Sequence, residues 1–215
     1  MTRAPGFCGV ILAAGASSRM GRDKALLPWP TDVTHPTNWR QTFLGAAIDM
    51  LRPHTDLVIV VAGNNEEAIM PVIYSAGAFL ITNPNPERGQ FSSLQIGMQE
   101  VLNRGRDAAL VALVDRPPVL PKTVEALRAA FVAAPDHVWS VVPQFEGKHG
   151  HPYAVGREMI EQFLRAPADS SARDVTRAHE EHIFYQPVND PRVCSNIDTP
   201  EDYQRLSQTN TGSAH

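Results

Sequence analysis

Between Gly9 and Lys24 the chain reads GVILAAGASSRMGRDK, an apolar run that ends in small residues and is followed by Arg19, Gly21 and Lys24. Small residues let backbone N–H groups approach an anion closely, and the two cations can balance the charge of a triphosphate. Such a loop suits phosphate binding. It is not a Walker loop, because Gly-x-x-x-x-Gly-Lys-Ser/Thr is absent, and not a dinucleotide fingerprint, because Gly15 has no glycine two residues later. On spacing alone, a tight strand-to-helix turn with a solvated basic end stays open as the alternative.

Chemistry on a bound triphosphate also needs a hard divalent cation, Mg²⁺, held by a few carboxylates, water and phosphate oxygens. Asp115 follows the apolar run Ala108–Val114 and should project at a strand's carboxyl end, where open α/β sheets bind ligands. Asp198 precedes Thr199-Pro200-Glu201-Asp202, and there a helix-capping carboxylate and a metal ligand are both open readings. In Asn83–Leu94, NPNPERGQFSSL, two prolines and a glycine precede a helix expected to begin near Ser92. Its first amides and hydroxyls could hold a phosphate or ribose, or Ser92 could be a plain cap. His149-Gly150-His151-Pro152 does not make a zinc centre, since two histidines two apart have no cysteine or further ligand beside them. His179 and His182, separated by Glu180 and Glu181, read as a solvated helix end and receive no role.

These residues need a frame, and the alternation of apolar runs with amphipathic stretches supplies one. It predicts an α/β fold, a Rossmann-like three-layer arrangement with a mostly parallel sheet and helices on both faces. Strands are expected at Phe7–Ala13, Leu57–Ala62, Ala78–Thr82, Ala108–Val114 and His137–Pro143. Helices are expected at Asn38–Leu51, Glu66–Ala76, Ser92–Arg104 and Pro121–Ala133, the last with proline at its first position. After Pro143 the rhythm breaks. Phe145–Pro152 reads as a loop before a short strand at Tyr153 and a helix over Arg157–Leu164. Ala166–Ser171 reads as a loop, Ala172–Glu181 as a short helix, and Ile183–Pro187 and Arg192–Asn196 as short strands. Thr199–Leu206 is expected to be the last helix, capped by Thr199, with a fraying polar tail from Ser207. Trp29–Trp39, with two prolines, looks like an insertion.

The 215 residues fit one domain over 1–206, with a nucleotide-binding half over about 7–120 and an acceptor-binding half over about 121–206. Apolar residues at 43% and charged residues at 20% match ordinary globular usage. A net charge of −4 and a pI near 6.0 give no basic field for nucleic acid, so a small-molecule partner is expected. Cys8 and Cys194 are too few for a disulfide framework and read as reduced thiols. The apolar stretch at Phe7–Ala16 is short and has only Arg3 before it, so it reads as a buried strand rather than a signal peptide, and no apolar run approaches the roughly 18–20 residues of a bilayer span, so a cytoplasmic location away from membranes is expected.

The loop resembles that of the molybdenum-cofactor nucleotidyltransferases, the MobA-like NTP transferases, whose pattern is Leu-Ala-Ala/Gly-Gly-x-x-x-Arg-Met-Gly-x-x-Lys. Leu12, Ala13, Ala14, Gly15, Arg19, Met20, Gly21 and Lys24 match it. The resemblance runs from Gly9 to about Leu206 and implies a Mg²⁺-dependent nucleotidyltransferase. Ala14-Gly15 is similar to the cytidylyltransferase branch, where the guanylyltransferase branch tends to Gly-Gly, so CTP is the expected nucleotide and molybdopterin the expected acceptor. A molybdenum hydroxylase or its chaperone is the protein partner this implies. By the same likeness Asp115 and Asp198 are Mg²⁺ ligands, Lys24 and Arg19 balance phosphate charge, and Leu12, Ala13, Ala14, Gly15, Asn83, Gly89, Ser92 and Ser93 hold the nucleotide. His151 and Arg173 are then acceptor contacts. Two departures stand out: Ser171 stands where glycine is usual, and Asp115-Arg116-Pro117 stands where cytidylyltransferases usually carry Asp-Gln-Pro. Arg116 could add a phosphate contact or mark a different acceptor.

Overall fold

The computed structural model describes residues 5–15, 20–31, 33, 35–167 and 169–211, for 207–211 the backbone only. Four strands, β1 (Phe7–Leu12), β2 (Leu57–Ala62), β3 (Phe79–Thr82) and β4 (Ala108–Leu113), lie parallel in the order β3-β2-β1-β4. FCGVIL, LVIVVA and AALVAL are apolar almost throughout because both faces of this half-sheet are covered. Alternate residues feed different layers. Phe7, Ile11, Val58, Val60 and Leu110 pack with α1 (Phe43–Leu51), α2 (Glu66–Ser75) and α4 (Pro121–Ala133). Val10, Leu12, Ile59, Val61 and Val111 pack on the opposite face with α3 (Gln90–Asn103) and α5 (Arg157–Arg165). The result is a three-layer α/β fold.

Past β4 the winding changes sense. β7 (Tyr153–Gly156) runs antiparallel to β4 and to β5 (Ser140–Phe145). Ser140 pairs with both Val155 and Ile183, and Gln144 with both His149 and Pro187. Thus β6 (Lys148–His149) shares an edge of β5 with β7, and β8 (Ile183–Pro187) occupies the other. Phe145–Pro152, expected to be a loop, is a hairpin: Glu146 at φ 47° and Gly147 at φ 76° make the two-residue turn that matches strand twist.

Arg192–Asn196 is not a strand. Pro191–Cys194 forms a 3₁₀ turn instead, because the Asp190 carboxylate accepts from Arg192 N–H and Pro191 has no N–H to give a ladder. Asp190, 1% exposed, also takes the N–H of Leu120 and the hydroxyl of Thr123, both at 2.8 Å, which pins this turn to the start of α4. Two helix starts also move. α3 begins at Gln90 after Gly89, and the stretch before α1 is a separate 3₁₀ turn, Trp39–Gln41, with Thr42 capping α1 through Gly45 N–H. α6 (Ala172–Ala178) opens on a capping box between Ser171 and Asp174, and α7 (Pro200–Thr211) closes the chain. No helix among the described residues is long and apolar enough to cross a membrane.

Candidate active site

β1 ends at Leu12, and the chain turns over the carboxyl ends of β1 and β2 with Ala13 N–H bonded to Val61 O at 2.9 Å. Asn65, just past β2, fixes this turn. Its amide nitrogen donates to Ala13 O at 2.9 Å and to an Asp23 oxygen at 2.6 Å, and its oxygen accepts from Gly63 N–H at 3.1 Å. The other Asp23 oxygen caps the 3₁₀ turn Lys24–Leu26. One side chain therefore sets both ends of the glycine-rich loop. Leu12, Ala14, Gly15 and Gly21 line a cavity of about 630 Å³ there, closed across by Asn64, Asn65 and Ser93. Arg19 lies outside the described residues.

Lys24, Asp115 and Asp198 converge beside this cavity. Lys24 Nζ lies 2.8 Å from an Asp198 oxygen, and Asn196 donates to the other oxygen. Asp115 follows β4, and its carbonyl takes the N–H of Ile197 at 2.9 Å, which brings the last loop against the strand end. One Asp115 carboxylate oxygen is enclosed with no hydrogen-bond partner among the described residues. Burial raises the Asp115 pKa above its ordinary value, Lys24 and Arg116 oppose the rise, and Asp198 adds to it. Asp198 does not cap α7. Asp202 accepts from Thr199 N–H at 2.9 Å while its own N–H reaches the Thr199 hydroxyl at 3.3 Å, so the cap is made between those two.

The proline-bearing insertion buttresses this cluster. Trp29 meets Phe43 edge-on at 5.2 Å, Phe43 and Ile197 are buried together with Leu27 and Met20, and the Tyr203 hydroxyl donates to Pro28 O at 2.9 Å. Residues on both sides of Asp198 are thus anchored to the segment that carries Lys24.

A second cavity, about 820 Å³, opens on the other side and shares Leu12, Gly89 and Gln90 with the first. Its wall carries Arg88, Arg116, Arg173, His149, His151 and Tyr185, with no carboxylate in its lining among the described residues. Lys24, Asp115 and Asp198 line neither cavity, but Asp23, next to Lys24, lines the first and Arg116, next to Asp115, lines the second, so the charged cluster adjoins both. Arg116 donates to the carbonyls of Val193 and Ser195, at 3.2 and 3.3 Å, and straps the last loop down. Gly150 must be glycine: an added Cβ would meet Val193 O at 1.8 Å. His151 N–H holds that same carbonyl at 3.0 Å. The His151 ring keeps an enclosed Nδ1 with no partner, and burial with Arg116 nearby pushes its pKa down to about 3, so the ring is neutral.

A family model described as the MobA-like NTP transferase domain matches residues 9–183. The chain belongs to this family. Curated relatives carry both cytidylyltransferase and guanylyltransferase names. The chain is similar to the molybdenum cofactor cytidylyltransferase of Escherichia coli, at 23% identity over 90% of this chain and 92% of that one. It is also similar to the nicotine blue oxidoreductase of Paenarthrobacter nicotinovorans, at 33% identity over 95% and 98%. A solved nucleotidyl transferase of Methanothermobacter superposes with a TM-score of 0.77 at 21% identity, covering 97% of this chain and 99% of that one.

Within this MobA-like NTP transferase the residues singled out from sequence separate by position. Leu12, Ala14, Gly15, Gly89 and Ser93 line the first cavity, and His151 and Arg173 the second. Ala13 and Asn83, 1% and 2% exposed, line neither. The Asn83 amide donates to the hydroxyls of Ser92 and Ser93 at 2.8 and 2.9 Å, and Ser92 donates to Gly89 O, so both brace the start of α3. Asn65, Asp23, Gln90 and His149 were not singled out. Asn65 carries the one usable signal, since Gly63-Asn64-Asn65 directly follows the apolar strand that pairs with β1.

Proposed function

We propose that this chain is a Mg²⁺-dependent nucleotidyltransferase that moves CMP from CTP to the phosphate of a molybdopterin-type acceptor. The observation that carries the reading is the pair of cavities meeting at Leu12, Gly89 and Gln90, with Asp23 of the first next to Lys24, Arg116 of the second next to Asp115, and Lys24 paired with Asp198. Two substrates can then be held with their reacting ends in one place. A terminal acceptor oxygen attacks the α-phosphorus of CTP, the new phosphoanhydride bond forms as the bond to the bridging oxygen breaks, and pyrophosphate leaves. Lys24 and Arg19 balance phosphate charge, Asn65 and Asp23 hold the loop in shape, and Arg116 keeps the Asp198 segment in place.

Asp115 and Asp198 fit a divalent cation. One Asp115 oxygen is enclosed with no partner among the described residues, and hard carboxylate oxygens are the donors that Mg²⁺ takes. Bound there, the cation would neutralise charge on the triphosphate and the departing pyrophosphate. CTP rests on the likeness of Ala14-Gly15 to the cytidylyltransferase branch. The test is pyrophosphate release with CTP, GTP, ATP and UTP in turn, each with Mg²⁺ and molybdopterin. Release with CTP alone supports the whole reading, release with GTP overturns the nucleotide, and silence with all four overturns this donor and acceptor pairing.

One observation favours a second reading. The relative at 33% identity is named an oxidoreductase, and a redox enzyme could hold a dinucleotide across the same two cavities. Oxidation of a reduced nicotinamide nucleotide with a dye acceptor, in the absence of pyrophosphate release, would select it.

A further inference from the structure

His149 ends β6 and Tyr185 lies on β8, so the two side chains come over β5 from opposite edges. Their rings stack, with centroids 3.9 Å apart and planes 10° from parallel. Gln144 on β5 holds His149 Nε2 from below, at 3.2 Å. His149 is exposed, and both rings line the second cavity. The other stack of histidine on an aromatic ring, Trp139 with His182 at 3.6 Å, lines neither cavity and packs against the core. A stack that faces a cavity rimmed by Arg88, Arg116 and Arg173, with no carboxylate in its lining among the described residues, combines a flat apolar surface with an anion-attracting rim.

We infer that His149, backed by Tyr185 and fixed by Gln144, is the platform on which the second cavity stacks a planar heteroaromatic ring that also carries anionic charge. This rests on reading that cavity as the acceptor side, and it places the ring contact on His149, where the sequence offers His151 as an acceptor contact. His151 turns its ring edge-on to Tyr153 at 5.0 Å and spends its backbone on Val193, so it shapes the wall. Arg173 and Arg88 would take the anionic group, and the stack selects acceptors with a flat ring over open-chain phosphates.

Equilibrium binding of pterin-6-carboxylate, a fluorescent planar anion, tests this without nucleotide, metal or turnover. Stacking on a single ring is worth roughly a 10- to 100-fold change in affinity. His149→Ala should weaken binding by that factor, His149→Phe should restore most of it by keeping a flat ring, and His182→Ala should leave it within about threefold. Equal affinity of wild type and His149→Ala, or no rescue by His149→Phe, overturns the platform, as does an absence of pterin-6-carboxylate binding to wild type. A protein that passes this test yet releases no pyrophosphate keeps the platform and loses the transfer reading. Pyrophosphate release with an acceptor KM unchanged in His149→Ala does the reverse.

Discussion

The two cavities are built differently, although they share a wall. Around the first, polar groups are tied to one another: Asn65 has three hydrogen-bonding contacts, and Asp23 uses both carboxylate oxygens. Around the second, Arg116 Nε and His151 Nδ1 are enclosed without a hydrogen-bond partner, and His149 and Arg173 stand exposed on a two-residue strand and a short helix. An enclosed polar atom left unpaired costs about 1–3 kcal/mol. On the proposed reading, the nucleotide side is preorganised by the protein and the acceptor side is finished by its ligand. Parallel strand ends joined by short turns give the first kind of wall, and an antiparallel hairpin with a separate helix gives the second.

The variant that breaks both sides at once should have the largest effect. Asp115→Asn keeps the shape of the side chain but removes the charge of the cluster that adjoins both cavities, and pyrophosphate release should fall by about 10²–10³-fold, on the scale of losing one group that stabilises a transition state. Because burial already raises the Asp115 pKa, the neutral amide should melt no lower than wild type in EDTA. Retention of more than about a tenth of the rate would remove Asp115 from the reaction.

Paired substitutions sharpen the contrast. Asn65→Ala frees Ala13 O and Asp23, so the KM for nucleotide should rise about tenfold with the acceptor KM unchanged. Arg173→Ala should give the opposite pattern, with a comparable rise in acceptor KM alone. If either variant moves both constants equally, the cavities do not hold separate substrates. Arg116→Gln is expected to act more weakly and on kcat. It loses the bonds to Val193 and Ser195, three residues before Asp198, so a three- to tenfold drop in kcat and about 1 kcal/mol of stability are expected, read from steady-state rates and urea melts.

The same contrast decides what sequence reasoning could reach. The parallel half is legible because its strands are unbroken apolar runs and because Asp115 must leave β4 at the carboxyl end. Capping and metal readings of Asp198 are equally good on spacing, and only the Thr199–Asp202 bonds take the cap away from it. β6 is two residues long, below any period that a pattern can register, so the hairpin that presents His149 reads as loop. Arg116 resembles a cation for phosphate until Val193 and Ser195, far along the chain, come back to meet it. The fold is written in local periodicity, and the acceptor wall in long-range contacts that periodicity does not carry.

The smallest expected effect concerns the cap that leaves Asp198 available. Hydrogen bonds from the N–H groups of Thr199 and Asp198 hold the Asp202 carboxyl below its ordinary value of 3.8. A carboxylate whose pKa is lowered by folding stabilises the native state above the unfolded value and loses that contribution as pH falls through the folded one. Asp202→Ala should therefore lower Tm modestly at pH 7, and the gap to wild type should narrow once the pH drops below 3.8. Because the cap orients Asp198 N–H and not its carboxylate, kcat should fall by no more than about twofold. A loss approaching that of Asp115→Asn would mean that Asp202 belongs with the charged cluster that adjoins both cavities and that α7 is part of the preorganised side.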